Sequence, residues 1–168
     1  MGGLAVDLEG KVALVSGGSS GMGTAICTLL AASGASVVVG GRHAERTAAV
    51  VESIRSTGRS AAPAIGDVAD STQAEHLVAT ALTEFGGLDI VVNAAGVIHR
   101  ADAEGTTDDD WHRVMSINVD GTFFLSRAAV PVMRQRGGGV IVNISSTCGL
   151  VGSAALVAYC ASKGAVTN

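Results

Sequence analysis

Short runs of β-branched residues alternate along the chain with longer stretches in which apolar positions recur every three or four residues. Lys11–Ser16, Ser36–Gly40, Ala61–Ile65, Leu88–Asn93 and Val140–Ser145 read as strands, bounded by glycine or polar turns. Between them Gly21–Ser33, Ala44–Thr57, Ser71–Phe85 and Asp108–Arg136 carry helical spacing. Such alternation predicts βαβ units, and therefore an α/β fold: a doubly wound parallel sheet with right-handed crossovers and helices on both faces. Thr107, followed three residues later by Asp110, marks a helix start. The run Asp108-Asp109-Asp110 fits the positive end of that helix better than a metal site. No repeat, linker or low-complexity segment interrupts the pattern, and 168 residues amount to a single domain, residues 1–168, with one buried core.

Composition agrees with a sheet buried on both faces. The chain is 48% hydrophobic and 15% charged, with 23 glycines and two prolines, and strands covered on both sides read as continuous apolar runs. A net charge of −4 and a pI near 5.4 argue against a nucleic-acid surface, and no cluster of lysine and arginine opposes that. Three cysteines, Cys27, Cys148 and Cys160, lack metal-type spacing and fit a reducing compartment. Met1–Asp7 has no basic region leading into an apolar core, and Val6 breaks a myristoylation pattern. No apolar run approaches the ~20 residues that span a bilayer. The expectation is a cytoplasmic protein with no membrane partner.

The first strand runs into Ser16-Gly17-Gly18-Ser19-Ser20-Gly21-Met22-Gly23 and then into a helix. Glycines there serve a tight turn, close backbone approach to a pyrophosphate, and close packing of helix on sheet. The N–H groups at a helix start receive phosphate. Placed between a strand and a helix in the first βαβ unit, the turn reads as a dinucleotide site; it lacks the lysine of a P-loop. The second strand ends in Val39-Gly40-Gly41-Arg42-His43, with no acidic residue for the ribose hydroxyls and an arginine for a 2′-phosphate. NADP(H) is thus preferred, with NAD(H) possible, since an arginine can also lie along the adenine. Asp67, past the third strand, faces the cofactor crevice; it either accepts from the adenine amine or caps the helix near Ser71.

Tyr159, the only tyrosine, stands four residues before Lys163, so on a helix the two share a face. A free phenol has a pKa of about 10, and bringing it near 7 takes about 4 kcal/mol. A cation about 4 Å away at an effective dielectric near 20 supplies about that much. The pair is a proton-transfer device, or else an ordinary surface pair.

Gly17-x-x-x-Gly21-x-Gly23, Asn93-Ala94-Ala95-Gly96, Asn118, Ser146 and Tyr159-x-x-x-Lys163 together resemble the short-chain dehydrogenase/reductase family, in order and spacing. The resemblance covers nearly the whole chain, including Trp111, Asn118–Phe123 and Ile141–Ser146. Ser16, Met22 and Ala94 depart from the commoner threonine, isoleucine and asparagine. It implies a Rossmann-like fold and hydride exchange between nicotinamide and an alcohol or carbonyl compound. By position, Tyr159 is the general acid and base. Lys163 lowers its pKa and holds the nicotinamide ribose, Ser146 binds the substrate oxygen, and Asn118 holds a relay water. Adjacent Ser145 is the rival of Ser146; the spacing to Tyr159 favours Ser146. Cofactor contacts are expected from Gly17, Ser19, Ser20, Gly21, Met22, Gly23, Arg42, Asp67, Val68, Asn93, Ala94 and Gly96, as well as Tyr159 and Lys163. For Asn93, hydrogen bonds tying strands together are an equal alternative. His99 and Arg100 read as a solvated loop, His43, His76 and His112 offer no metal geometry, and Cys148 and Cys160 read as small buried fillers.

Family members run about half as long again, with further strands, a substrate loop and a last helix pair. The expectation is therefore an N-terminal two-thirds of a longer polypeptide that lacks the family's final strands. The isolated chain is expected to be insoluble or a weak binder without useful catalysis. A catalytically inactive NAD(P)-binding module or truncated fragment is the alternative; an epimerase or dehydratase acting on a nucleotide-activated sugar fits the first turn less well. The small-residue stretch Gly149–Ala158 would line one wall of a substrate pocket. Resembling proteins form tetramers or dimers, so a homo-oligomer is expected.

Overall fold

A computed structural model of the protein describes residues 6–168, so Met1–Ala5 of the N-terminal reading lie outside the described residues. Five parallel strands form one sheet in the order β3-β2-β1-β4-β5. They are β1 (Val12–Ser16), β2 (Ser36–Gly41), β3 (Ala61–Ile65), β4 (Ile90–Asn93) and β5 (Val140–Asn143). The helices are α1 (Gly21–Ala32), α2 (Ala44–Arg55), α3 (Ser71–Phe85), α4 (Asp108–Met115), α5 (Gly121–Gln135) and α6 (Val157–Thr167). The chain winds outward from β1 to β3, then returns to lay β4 on the other side of β1. This is a doubly wound Rossmann-like fold.

Successive strand residues point to opposite faces, and two cores result. Ala13, Val15, Val37 and Val39 pack with Cys27 and Ala31 of α1 and with Val51 and Ile54 of α2. Leu14, Val38, Ala64 and Val91 pack with Leu77 and Ala81 of α3 and with Leu125 and Ala129 of α5. Every residue of β1 is buried, as a strand covered on both sides requires. Pro63 sits in β3, an outer strand, where its missing N–H costs no ladder bond. The opposite outer strand, β5, is open: Val140 is 58% and Val142 43% exposed.

The sequence pattern placed one helix over Asp108–Arg136. It is instead broken by a π turn, Ser116–Asp120. The wider turn seats Asn118 in the interior, at 1% exposure, where its side chain finds partners on two other segments. Most other boundaries shift by two residues or fewer; β4 begins at Ile90 and β5 ends at Asn143. The chain after Asn143 turns toward α6, with Ser145 Oγ against Lys163 O and Thr167 Oγ1. Thr107 caps α4 as expected, accepting from Asp110 N, and the three aspartates fill the first turn. The cap of α3 is Asp70, which accepts from Thr72 N and Gln73 N; Asp67 does not serve there.

Candidate active site

The carboxyl ends of β1–β4 converge on a crevice of about 410 Å³. Gly17 and Ser19–Gly23 form its floor, Gly40–His43 and Arg46 one wall, Gly66–Val68 a second, and Ala94–Val97 and Ile117 a third. In open α/β sheets the ligand crevice lies at such strand ends, where the strand order reverses; here that is between β1 and β4. Gly17 has φ 69°, and a Cβ there would lie 2.8 Å from Ala95 N and Cα. Only glycine lets the first turn and the segment after β4 touch. Ser20, the N-cap of α1, makes no side-chain cap bond, so no side chain of the cap competes for the first-turn N–H groups facing the crevice. These features fit a dinucleotide pyrophosphate.

Of the residues expected to touch the cofactor, Gly17, Ser19, Ser20, Gly21, Met22, Gly23, Arg42, Asp67, Val68, Ala94 and Gly96 line this crevice. Asn93 does not. Its Nδ2 donates to Ser126 Oγ at 3.0 Å and to Asn143 Oδ1 at 2.8 Å, tying β4 to α5 and to β5. Asp67 pairs with Arg42, Oδ2 to Nη1 3.3 Å, and accepts from Ala69 N. The sequence reading missed Gly40, Gly41, His43, Arg46, Gly66, Ala95, Val97 and Ile117. Arg46 lies in the first turn of α2, four residues after Arg42, which precedes that helix.

Tyr159 and Lys163 share a face of α6, with Lys163 Nζ 5.8 Å from the phenol ring centroid. Nζ donates to Ile144 O at 2.6 Å. The lysine is 6% exposed, and burial lowers its pKa from the ordinary value. Asn118 ties this helix to the crevice wall. Its Oδ1 accepts from Val97 N at 2.8 Å, while Nδ2 donates to Val97 O at 3.0 Å and to Ser162 Oγ at 2.9 Å. Ser162, which the sequence reading passed over, donates in turn to Tyr159 O. A Cβ on Gly96 would sit 3.4 Å from Asn118 Oδ1 and 3.7 Å from Lys163 Nζ, so the lysine reaches the edge of the crevice. Ser145 and Ser146 now separate. The Ser145 hydroxyl faces α6, whereas Ser146 Oγ accepts from Cys148 N and caps the 3₁₀ turn Thr147–Gly149.

Two smaller expectations change. His99 is not solvated: Nδ1 lies 3.3 Å from Asp110 Oδ1, and its Nε2 is buried without a partner. Asp110 is held below its usual carboxylate range, first by the Thr107 hydroxyl and then by Arg113 and His99. Cys148 and Cys160 are half-buried; the buried cysteine is Cys27, whose thiol burial pushes up to about 12. Among the described residues, no cluster of His, Cys, Asp and Glu is placed to hold a metal, and no helix is long and apolar enough to cross a membrane.

A glycine-rich first turn and a tyrosine–lysine helix clamped beside one crevice stand at the strand ends of a doubly wound α/β domain. The chain belongs to the short chain dehydrogenase family, whose model matches residues 11–168. It is 40% identical over 161 residues to an uncharacterized oxidoreductase of Thermotoga maritima, covering 96% of this chain and 63% of the relative. It is 39% identical over 170 residues to an NADP-dependent (R)-specific alcohol dehydrogenase of Lentilactobacillus kefiri, covering 95% and 63%. A gluconate 5-dehydrogenase from Burkholderia cenocepacia, solved with NADP and tartrate, superposes with a TM-score of 0.91 at 34% identity, covering 96% of this chain and 64% of that one. The chain thus spans somewhat under two thirds of the length of these relatives.

Proposed function

We propose that the protein is an oxidoreductase using NADP(H), in preference to NAD(H), on a small alcohol or carbonyl substrate. The observation that carries this reading is the reach of Lys163 to Gly96 at the crevice edge, with Tyr159 on the same helix face. The NADP named for one relative and one structural neighbour supports the choice of cofactor. When bound, the nicotinamide gives or takes the hydride.

The chain's own groups handle the proton. In reduction Tyr159 donates its phenolic hydrogen to the substrate oxygen, and in oxidation it takes that hydrogen back. The Ser146 oxygen accepts only from Cys148 N among the described residues, which leaves its hydrogen for the substrate oxygen. Lys163 stabilises the phenolate by charge. Its lowered pKa also makes it a readier proton donor than a free lysine. Both Nδ2 hydrogens of Asn118 are engaged, by Val97 O and Ser162 Oγ. A relay water would therefore be held by a carbonyl oxygen of Asn118 rather than by its Nδ2.

The test is turnover of NADPH or NADP⁺ against a panel of ketones and secondary alcohols, for the native chain and Tyr159→Phe. The variant should lose roughly 10²–10⁴-fold in kcat while NADPH affinity holds. Native-level turnover by Tyr159→Phe contradicts the assignment. NADPH binding with no turnover of any substrate by the native chain assigns it instead as a cofactor-binding module.

A further inference from the structure

Several bonds fasten α6 to the rest of the fold, and one of them leads to the cofactor crevice. Toward β5, Lys163 Nζ donates to Ile144 O, and the Ser145 hydroxyl meets Lys163 O and Thr167 Oγ1. Toward the crevice, the single hydrogen bond between α6 and the π turn among the described residues is Asn118 Nδ2 to Ser162 Oγ, 2.9 Å. Its direction is fixed. Asn118 Oδ1 must face the Val97 N–H and Nδ2 the Val97 carbonyl, so toward Ser162 the amide can only donate. The Ser162 oxygen is then an acceptor, and its one hydrogen goes to Tyr159 O at 2.8 Å. Ser162 is 0% exposed, so water replaces neither partner. Val97 lines the crevice, whereas no residue of α6 does. An unbroken chain of hydrogen bonds thus runs from the crevice wall to the backbone of Tyr159.

We propose that Ser162 is a positioning residue for the reaction: its hydroxyl sets where Tyr159 and Lys163 stand against the crevice wall at Val97. The proposal rests on the oxidoreductase reading above and deepens it by naming a residue that acts through Tyr159 without touching substrate or cofactor. A serine that served its helix alone would need only the bond to Tyr159 O, the ordinary back-bond of a helical serine. Here the same oxygen also takes up an Asn118 hydrogen that bonds nowhere else, from a residue 44 positions away in sequence. Small movements matter at such a place, since a displacement of about 1 Å at a reacting group can cost about a hundredfold in rate.

Tyr159 is the only tyrosine, so a chain with isotope-labelled tyrosine rings gives one tyrosine signal by NMR. That signal is read beside kcat and NADPH affinity for the native chain, Ser162→Ala and Ser162→Thr. Ser162→Ala should lower kcat by about tenfold to a hundredfold and move or split the tyrosine signal. NADPH affinity should hold, because α6 contributes nothing to the crevice lining. Ser162→Thr keeps a hydroxyl that can bond back to its own helix; it should recover part of kcat and return the signal toward its native place. Should Ser162→Ala fail to fold, Ser162→Cys, a similar-sized side chain whose thiol donates and accepts weakly, replaces it with the same expectations in smaller measure. A native kcat with an unmoved signal in that variant overturns the proposal and leaves the oxidoreductase reading intact. So does a kcat that falls together with NADPH affinity while the tyrosine signal stays put, the mark of general loosening. A native chain that turns over no substrate overturns the oxidoreductase reading and this one with it.

Discussion

Gly17 is asked for two things at once, and each can be measured apart. Its φ of 69° lies in the left-handed region, which costs a residue with a Cβ about 1–2 kcal/mol. Its Cβ would also meet the backbone of Ala95 at 2.8 Å and Ala94 C at 3.1 Å. These are backbone atoms that cannot rotate away, and overpacking of this kind costs about 1–3 kcal/mol. Gly17→Ala should therefore lose about 2–5 kcal/mol. For a chain of this size that is a fall in Tm of very roughly 4–20 °C. Gly58 isolates the first term, with φ 78° and nothing within 4 Å of a Cβ. Gly23 isolates the second: its φ is ordinary, but a Cβ would strike Gly17 O and lie 2.7 Å from Gly17 C. Urea unfolding of the three alanine variants should rank Gly58→Ala as the least damaging, with Gly17→Ala and Gly23→Ala both well above it. A Gly17→Ala loss no larger than that of Gly58→Ala would refute the close approach of the first turn to the segment after β4. The same displacement should weaken nucleotide binding in Gly17→Ala and leave it unchanged in Gly58→Ala.

Asp70→Ala should lower Tm, because two first-turn N–H groups of α3 lose their acceptor. The Asp70 carboxyl is held below its ordinary value, chiefly by the Gln73 N–H and then the Gln73 side chain. Its stabilisation is therefore complete above the unfolded carboxylate range, about pH 4, and fades as pH falls through the folded value. A Tm difference between native and variant that does not shrink under acid contradicts this. Alkylation with iodoacetamide near pH 8 should label half-buried Cys148 and Cys160 and spare Cys27, whose thiol is fully buried and pushed up to about 12; peptide mapping reads the outcome, and early labelling of Cys27 would show that the α1 face opens.

The sheet was legible because its inner strands are buried on both faces and its outer ones are apolar even where exposed, so five apolar runs stood out without help from the chain between them. The long helix after Thr107 was legible as a helix but not as a broken one. A π turn leaves no periodicity of its own, and it depends on what Asn118 binds, Val97 and Ser162, which lie 21 and 44 residues away. The glycine turn could be read locally from its place between a strand and a helix, although the approach of Gly17 to Ala95 is long-range. Asn93 and Asp67 could not, because strand-tying and adenine-facing roles use the same residue types and only partners distinguish them: Ser126 and Asn143 for one, Arg42 for the other. The pairing that engages Arg42 joins β2 to β3 and is invisible until the strands are side by side.

The central claim is that the crevice at the carboxyl ends of β1–β4 receives a dinucleotide. Amide chemical shifts recorded during an NADPH titration test it most directly. The account predicts perturbations concentrated at Gly17, Ser19–Gly23, Gly41–Arg46, Asp67, Val68 and Ala94–Val97, and little change along β5 or the outer faces of α3 and α5. Saturating NADPH that leaves those amides unmoved, or that moves only residues outside the crevice, would contradict it.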